Sequence, residues 1–265
     1  MLKQILTMGA VIFVFVVVLM YVFQRHLIYF PDRHHPHLEQ FSAQDMQVIT
    51  LKTKDKISLN SWYKPALSKH PTILYLHGNA GHIGYRVPLV RQFMDAGLGV
   101  FLLEYRGYGG NKGSPSEQGF YEDGRAAMAF LNNQGISSKH IILFGESLGS
   151  GVATYLATQY PICAVVLHSP FSSLTRVAQF HYPWIPLTPW DKYDSLSRIQ
   201  LIKAPILITH GTKDRIVPYE EGLTLYQAAN QPKKLLRVKD KDHNDLWKSD
   251  HYSQKVIDFI EQYCH

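Results

Sequence analysis

The chain has 265 residues, 46% of them hydrophobic, which is enough for one well-buried domain with a small appendage and too little for two large cores. Its formal charge of +6 is spread over scattered Lys and Arg with no long basic run; this excludes the footprint of a nucleic-acid binder and fits a modest preference for anionic lipid headgroups. The two cysteines, Cys163 and Cys264, form neither a disulfide framework nor a metal-ligand spacing; Cys163 reads as a small buried residue, and Cys264 has no placement from sequence.

Residues 5–23, "ILTMGAVIFVFVVVLMYVF", carry no charge and are long enough to cross a bilayer as a helix. A cleaved signal peptide is the competing reading. Its apolar region runs roughly 7–15 residues and ends at a small-residue cleavage site. Here the run is longer and bulky residues follow it, so residues 1–25 are expected to be a retained single-pass membrane anchor. Tyr21, Phe23 and Tyr29 with Arg25 resemble an interfacial aromatic and basic collar. Lys3 on one side and Arg25 and Arg33 on the other leave the orientation open. Residues 26–45 contain "PDRHHPHLEQ", in which His34, His35 and His37 stand without Cys or clustered carboxylates, and Pro36 breaks any helix. The expectation is a solvated juxtamembrane linker with no metal.

From Met46 the pattern changes to that of a single domain, residues 46–265. "MQVITL" and "ISLNSWYKP" alternate around "KTKDK" as an antiparallel hairpin does. Apolar runs at 72–77, 99–105, 140–145, 163–169, 205–211 and 234–238 predict strands. Helical spacing at 85–95, 116–133, 148–159, 219–229 and 249–262 fills the intervals, with Ser116 as an N-cap. Near-continuous apolar strands alternating with helices specify a mostly parallel sheet covered on both faces.

In such a sheet, ligands bind beyond the carboxyl ends of the strands. "GESLG" (145–149) sits at one of these ends, between a strand and a helix. Small flanking residues let the chain turn sharply enough to project the Ser147 hydroxyl, which is the context of a nucleophile elbow. A serine needs a base, and the base an orienting carboxylate. Asp214, in "HGTKDRIVP", and His243, in "KDKDHNDLW", each follow a later strand in the order this arrangement requires. Alone, Asp214 is equally a turn residue, and His243 one of 14 histidines with Asp240, Asp242 and Asp245 crowding it. The backbone N–H of Leu148 and that of Asn79, in "LHGNAGHIG", are the expected oxyanion donors.

Together with "FQRHLIYFP", "YLHGNAG", "EYRGYG", "GSPSEQG", "GESLGSGVA", "SPFSSL", "HGTKDRIVP" and "DHND", these pieces span nearly the whole chain. The sequence resembles the α/β-hydrolase superfamily, and within it the bud-emergence-46-like branch of membrane-anchored serine hydrolases. The resemblance implies an α/β-hydrolase fold with Ser147, Asp214 and His243 in triad roles. His82, where the branch more often has Asn, and His168 depart from its pattern without touching the triad.

About 35 residues, 170–204, separate two strands, leaving room for a helix and a rim but not for a large cap. Their aromatics, Phe171 and Tyr182 foremost, either line an acyl pocket or simply pack. No metal cluster, dinucleotide fingerprint or phosphate loop is present, so no cofactor is expected. The expected activity is cleavage of an ester or thioester through an acyl-enzyme, on a small-molecule, lipid or acylated substrate at a membrane. An amide hydrolase of the same fold, or a non-catalytic binding protein on this scaffold, is the alternative.

Overall fold

A computed structural model describes residues 1–67, 70–185 and 188–264. The chain runs α1 (Leu2–Val22), α2 (Gln24–Ile28), β1 (Phe30–Pro31), β2 (Gln47–Lys52), β3 (Ser58–Lys64), β4 (Thr72–Leu76), β5 (Ala80–Gly81), α3 (Val87–Asp95), β6 (Gly99–Leu103) and α4 (Glu117–Asn133). It continues through β7 (Ile141–Glu146), α5 (Leu148–Gln159), β8 (Ala164–His168), α6 (Leu174–His181), α7 (Ser195–Ile199), β9 (Ile206–Gly211), α8 (Tyr219–Ala228), β10 (Lys233–Val238) and α9 (Tyr252–Tyr263).

The main sheet has eight strands in the order β10-β9-β8-β7-β4-β6-β3-β2. The β2–β3 and β3–β6 pairs are antiparallel, and the rest are parallel. Because helices cover both faces, every residue of β4, β6 and β8 is buried, and this is why those strands are continuous apolar runs. Alternate residues feed two separate cores. Leu74 and Leu76 pack with Phe120, Leu143 and Val152 on one face, while Ile73 and Tyr75 pack with Phe93, Phe144 and Phe259 on the other. Ser116 caps α4 as expected, its hydroxyl accepting from the Gly119 N–H at 3.1 Å. Among the described residues between β8 and β9 the helices are the short α6 and α7, so the cap is minimal.

Three features differ from the sequence expectation. Cys163 and Cys264 form a disulfide, joining the start of β8 to the end of α9 across 101 residues. Cys163 is therefore neither a free thiol nor a buried hydrophobe. The sheet brings the two ends together at the edge opposite the carboxyl ends of its strands.

Residues 26–45 are not a solvated tether. The β1 segment pairs with β5 in a second small parallel sheet, Tyr29 is buried, and Ala43 and Met46 enter the core. Tyr29 supplies the reason: its ring packs on Phe120 and its hydroxyl donates to Asp191 at 2.9 Å, burying apolar and polar groups together. His34, His35 and His37 stay exposed beside this packed strip.

The two N-terminal helices are docked on the domain. Arg25 forks onto the Asp191 carboxylate at 2.9 and 3.2 Å, and the Trp190 N–H donates to Gln24 Oε1 at 2.6 Å. Among the described residues α1 is the one helix long and apolar enough to cross a membrane, with a mean hydropathy of 2.8.

Candidate active site

Strand order reverses around β4, whose neighbours are β6 and β7, and the carboxyl ends of β4, β7, β9 and β10 deliver their loops to one rim. Ser147 occupies the turn from β7 into α5 with φ 50° and ψ −114°, a left-handed conformation that costs a non-glycine residue about 1–3 kcal/mol. Its N–H is fixed to the His168 carbonyl at 2.8 Å. Two glycines make the turn possible. A Cβ on Gly145 would lie 2.6 Å from Ser150 Cα, and one on Gly149 would lie 2.0 Å from the Leu76 carbonyl oxygen. No side chain fits either place, so the Gly-x-Ser-x-Gly spacing is a steric necessity here.

His243, after β10, brings Nε2 to 2.9 Å from Ser147 Oγ and Nδ1 to 2.7 Å from Asp214 Oδ2. A carboxylate only accepts, so Nδ1 carries the proton and Nε2 is left to accept from the serine hydroxyl. All three side chains are buried. Asp214 Oδ1 accepts from the N–H groups of Ile216 and Val217 at 2.9 and 2.8 Å. Burial opposes the charge on Asp214, but the nearby His210 Nε2–H, the bond from His243 and these N–H groups outweigh it and hold the carboxyl well below the usual carboxylate range. Asp240, Asp242 and Asp245, the local rivals for His243, do not bond its ring; what Asp242 Oδ1 accepts from His243 is its backbone N–H, at 2.8 Å. Asp242 pairs with Arg215, Asp240 with Lys213, and Asp245 accepts from the Asp242 N–H.

Asn79 and Leu148 both border the cavity that contains Ser147. Among the described residues neither backbone N–H meets a protein acceptor. The Asn79 side chain is occupied elsewhere, donating to the Ile28 carbonyl at 2.8 Å, while its own carbonyl accepts from the Phe30 N–H and the Tyr108 hydroxyl. Phe171 and Tyr182 also border the cavity, the first buried and the second partly exposed. His82 does not. It stacks on Tyr85, and its Nδ1 accepts from the Gly84 N–H, which makes it a satisfied loop histidine.

Sequence reasoning passed over two supports. Glu146, beside Ser147, is clamped by Arg86 at 2.9 and 3.0 Å and by the Tyr75 hydroxyl at 2.8 Å. Burial works against its charge, yet the Arg86 guanidinium prevails and holds the carboxyl at about 2. His210, on β9, approaches Asp214 Oδ2 at 3.3 Å and donates through Nε2 to the Val217 carbonyl at 2.9 Å. The "TH" that ends the strand before "GTKD" was the available signal for His210; nothing local tied Arg86 to Glu146.

The family pattern described as serine aminopeptidase S33 matches residues 68–190. A Mycobacterium tuberculosis protein is 42% identical over 227 residues, covering 84% of this chain and 81% of that one. The Schizosaccharomyces pombe protein bem46 is 33% identical over 264 residues, covering 92% and 87%. Among solved structures, an esterase of Pyrococcus furiosus superposes with a TM-score of 0.74 at 21% identity, over 90% of this chain and 98% of that one, a likeness of fold. With that fold and those relatives, the chain belongs to the α/β hydrolases, as a bem46-like member.

Proposed function

We propose that the protein is a membrane-anchored serine hydrolase that cleaves carboxylic esters or thioesters, with Ser147 as nucleophile, His243 as general base and acid, and Asp214 as its orienting carboxylate. The observation that carries this is the continuous line Ser147 Oγ–His243 Nε2–His243 Nδ1–Asp214 Oδ2, at 2.9 and 2.7 Å, opening into an apolar cavity of about 380 Å³.

Ser147 Oγ attacks the carbonyl carbon while Nε2 of His243 takes its proton. The carbonyl oxygen becomes an oxyanion, met by the N–H groups of Asn79 and Leu148, and the start of α5 adds the positive end of a helix dipole. Collapse breaks the bond to the leaving oxygen or sulfur, which receives the proton from Nε2. A water molecule, deprotonated by the same nitrogen, then releases the acid and restores the serine.

An aminopeptidase, the activity in the matched family's description, must hold a substrate ammonium with acidic groups. Among the described residues bordering the cavity there is no Asp or Glu. That favours an ester or thioester over a peptide N-terminus. The helix α1, 21 residues long, is the feature that supports membrane anchoring.

The test is fluorophosphonate labelling and short-chain ester hydrolysis by the wild type and Ser147→Ala. Ser147→Ala is expected to abolish labelling and to lower kcat by about 10⁴-fold or more. A folded wild type that neither labels nor hydrolyses would sink the proposal.

A further inference from the structure

We propose that the membrane end of the anchor is itself a wall of the substrate site, and that the cavity at Ser147 receives the acyl chain of an ester lipid directly from the bilayer. This rests on the serine-hydrolase assignment above and names its substrate class.

The cavity runs from Ser147 between two surfaces. On one side are Met20, Leu27 and Ile28, from the end of α1 and from α2; on the other are Leu174, Val177 and Ile185, from α6 and the turn after it. Three of the polar side chains along it are already engaged; the others besides Ser147 are the single hydroxyls of Tyr21, Tyr182 and Thr188. Gln24 accepts from Trp190 and donates to the Tyr21 carbonyl at 2.7 Å, His181 donates to the Ile216 carbonyl at 2.8 Å, and the Asn79 amide donates to Ile28. What remains is a hydrocarbon slot ending at the nucleophile, with no charged side chain among its described lining residues. A volume of about 380 Å³ is within the range of small-molecule sites. An alkyl chain gains from such a wall, whereas a polar acid or peptide would lose its hydration there without new partners.

The source of the chain follows from where the slot lies. The Trp184 ring packs on Phe13 at 5.9 Å, and the Trp190 ring on Tyr21 at 5.4 Å. Phe13 is nine positions before Val22, about 13 Å back along a helix axis, so the turn carrying Trp184 lies beside the membrane span and not beyond it. Tyr182 and Ile216, which border the cavity, are exposed, and so are Phe180 and Trp184, each two residues from Tyr182. Aromatic and apolar groups set along the span in this way suit contact with lipid, where burying them is favourable. The mouth of the slot therefore opens sideways into lipid.

The experiment uses the full-length protein in phosphatidylcholine vesicles containing monooleoylglycerol, and in detergent with p-nitrophenyl acetate and laurate. Leu27→Trp should fill the slot and lower the laurate-to-acetate ratio of kcat/KM at least tenfold. Val177→Trp crowds the opposite wall and should act likewise, guarding against a folding defect in the first variant. Val18→Trp, equally bulky on the exposed face of α1, should change the ratio less than twofold. Wild type should release oleate from the vesicles and Ser147→Ala should not. An unchanged ratio in both wall variants would overturn the anchor's part in the site. Hydrolysis of laurate in detergent without oleate release from vesicles would overturn the bilayer as source. Absence of Ser147-dependent hydrolysis of either ester strikes instead at the underlying assignment.

Discussion

Two regions meet at the cavity, and they are built by opposite means. The sheet side, with Ser147, Asp214 and His243, consists of short turns one to five residues past the ends of strands, held by backbone sterics and buried hydrogen bonds. The N-terminal side is assembled from pieces far apart in the chain: α1, α2 and the residue after them are held against Trp190 and Asp191 by Arg25, Gln24 and Tyr29. The first region sets the hydrogen-bonded line of Ser147, His243 and Asp214 at the cavity; the second uses Gln24, Arg25 and Tyr29 to hold itself together and offers a mostly apolar wall. Chemistry and recognition are thus separable by mutation, and the expected effects fall on different measurements.

The largest effect after loss of Ser147 itself belongs to Asp214→Asn. An amide in this place can donate, so it favours the tautomer in which Nδ1 accepts and Nε2 carries the proton, leaving no base for the serine. Turnover should fall about 10³–10⁴-fold with the fold intact by circular dichroism. A fall of less than tenfold would mean that Asp214 does not orient His243.

The disulfide tests whether either region depends on the far end of the sheet. Cys264→Ser opens a loop of 101 residues and should cost about 3–4 kcal/mol of stability in chemical denaturation. It should leave kcat near that of wild type at low temperature, because the bridge lies at the opposite ends of the strands. A loss of turnover in a folded sample would break the separation proposed here.

Acid should act on the sheet side. Burial lowers the His168 imidazole to about 4, against about 6.5 in an unfolded chain. The folded state resists the proton that the unfolded chain accepts. His168 therefore favours the fold fully above about pH 6.5, and this contribution is lost as pH falls toward 4; it is worth roughly 3 kcal/mol. Glu146, held at about 2 against 4.5, loses its contribution over the lower window from about 4.5 to 2, by the same sign. Urea midpoints should fall between pH 7 and 4 in wild type and much less in His168→Gln. Equal slopes would show that His168 is not the group responsible.

The smallest effect should come from Asp191→Ala. It removes the common acceptor of Arg25, Tyr29 and the Glu117 N–H. Arg25 is 43% exposed and regains water, so the cost is about 2 kcal/mol and falls on the buried tyrosine and amide. Limited proteolysis should find the segment 26–45 more accessible. If it stays protected, the Arg25–Asp191 contact is not what docks the anchor.

Much of the sheet side was legible before the structure. Strands buried on both faces must be apolar throughout, and the runs at 72–77, 99–105 and 140–145 declared them. Gly145 and Gly149 flank Ser147 because no Cβ fits either place, a constraint confined to a few neighbouring residues. The order of Ser147, Asp214 and His243 followed from their places after successive strands. Arg86 was not legible, because its partner Glu146 lies 60 residues away and an arginine on a helix looks like any solvated charge. Cys163 and Cys264 looked isolated for the same reason, and "PDRHHPHLEQ" looked like a tether because its polar side chains follow directly on a two-residue strand, Phe30–Pro31, that pairs through its backbone.

By itself, then, the sequence determined what short-range forces govern: which segments are strands and helices, where the chain turns at Ser147, and that α1 is long enough for a membrane. Tertiary structure alone decided which distant pieces touch. Leu27 and Ser147 face one cavity, Asp191 receives Arg25 and Tyr29, and Cys163 meets Cys264. Such contacts form only after the sheet has brought remote segments together, and burial then rewards them whatever their separation along the chain. Periodicity and spacing carry no trace of that.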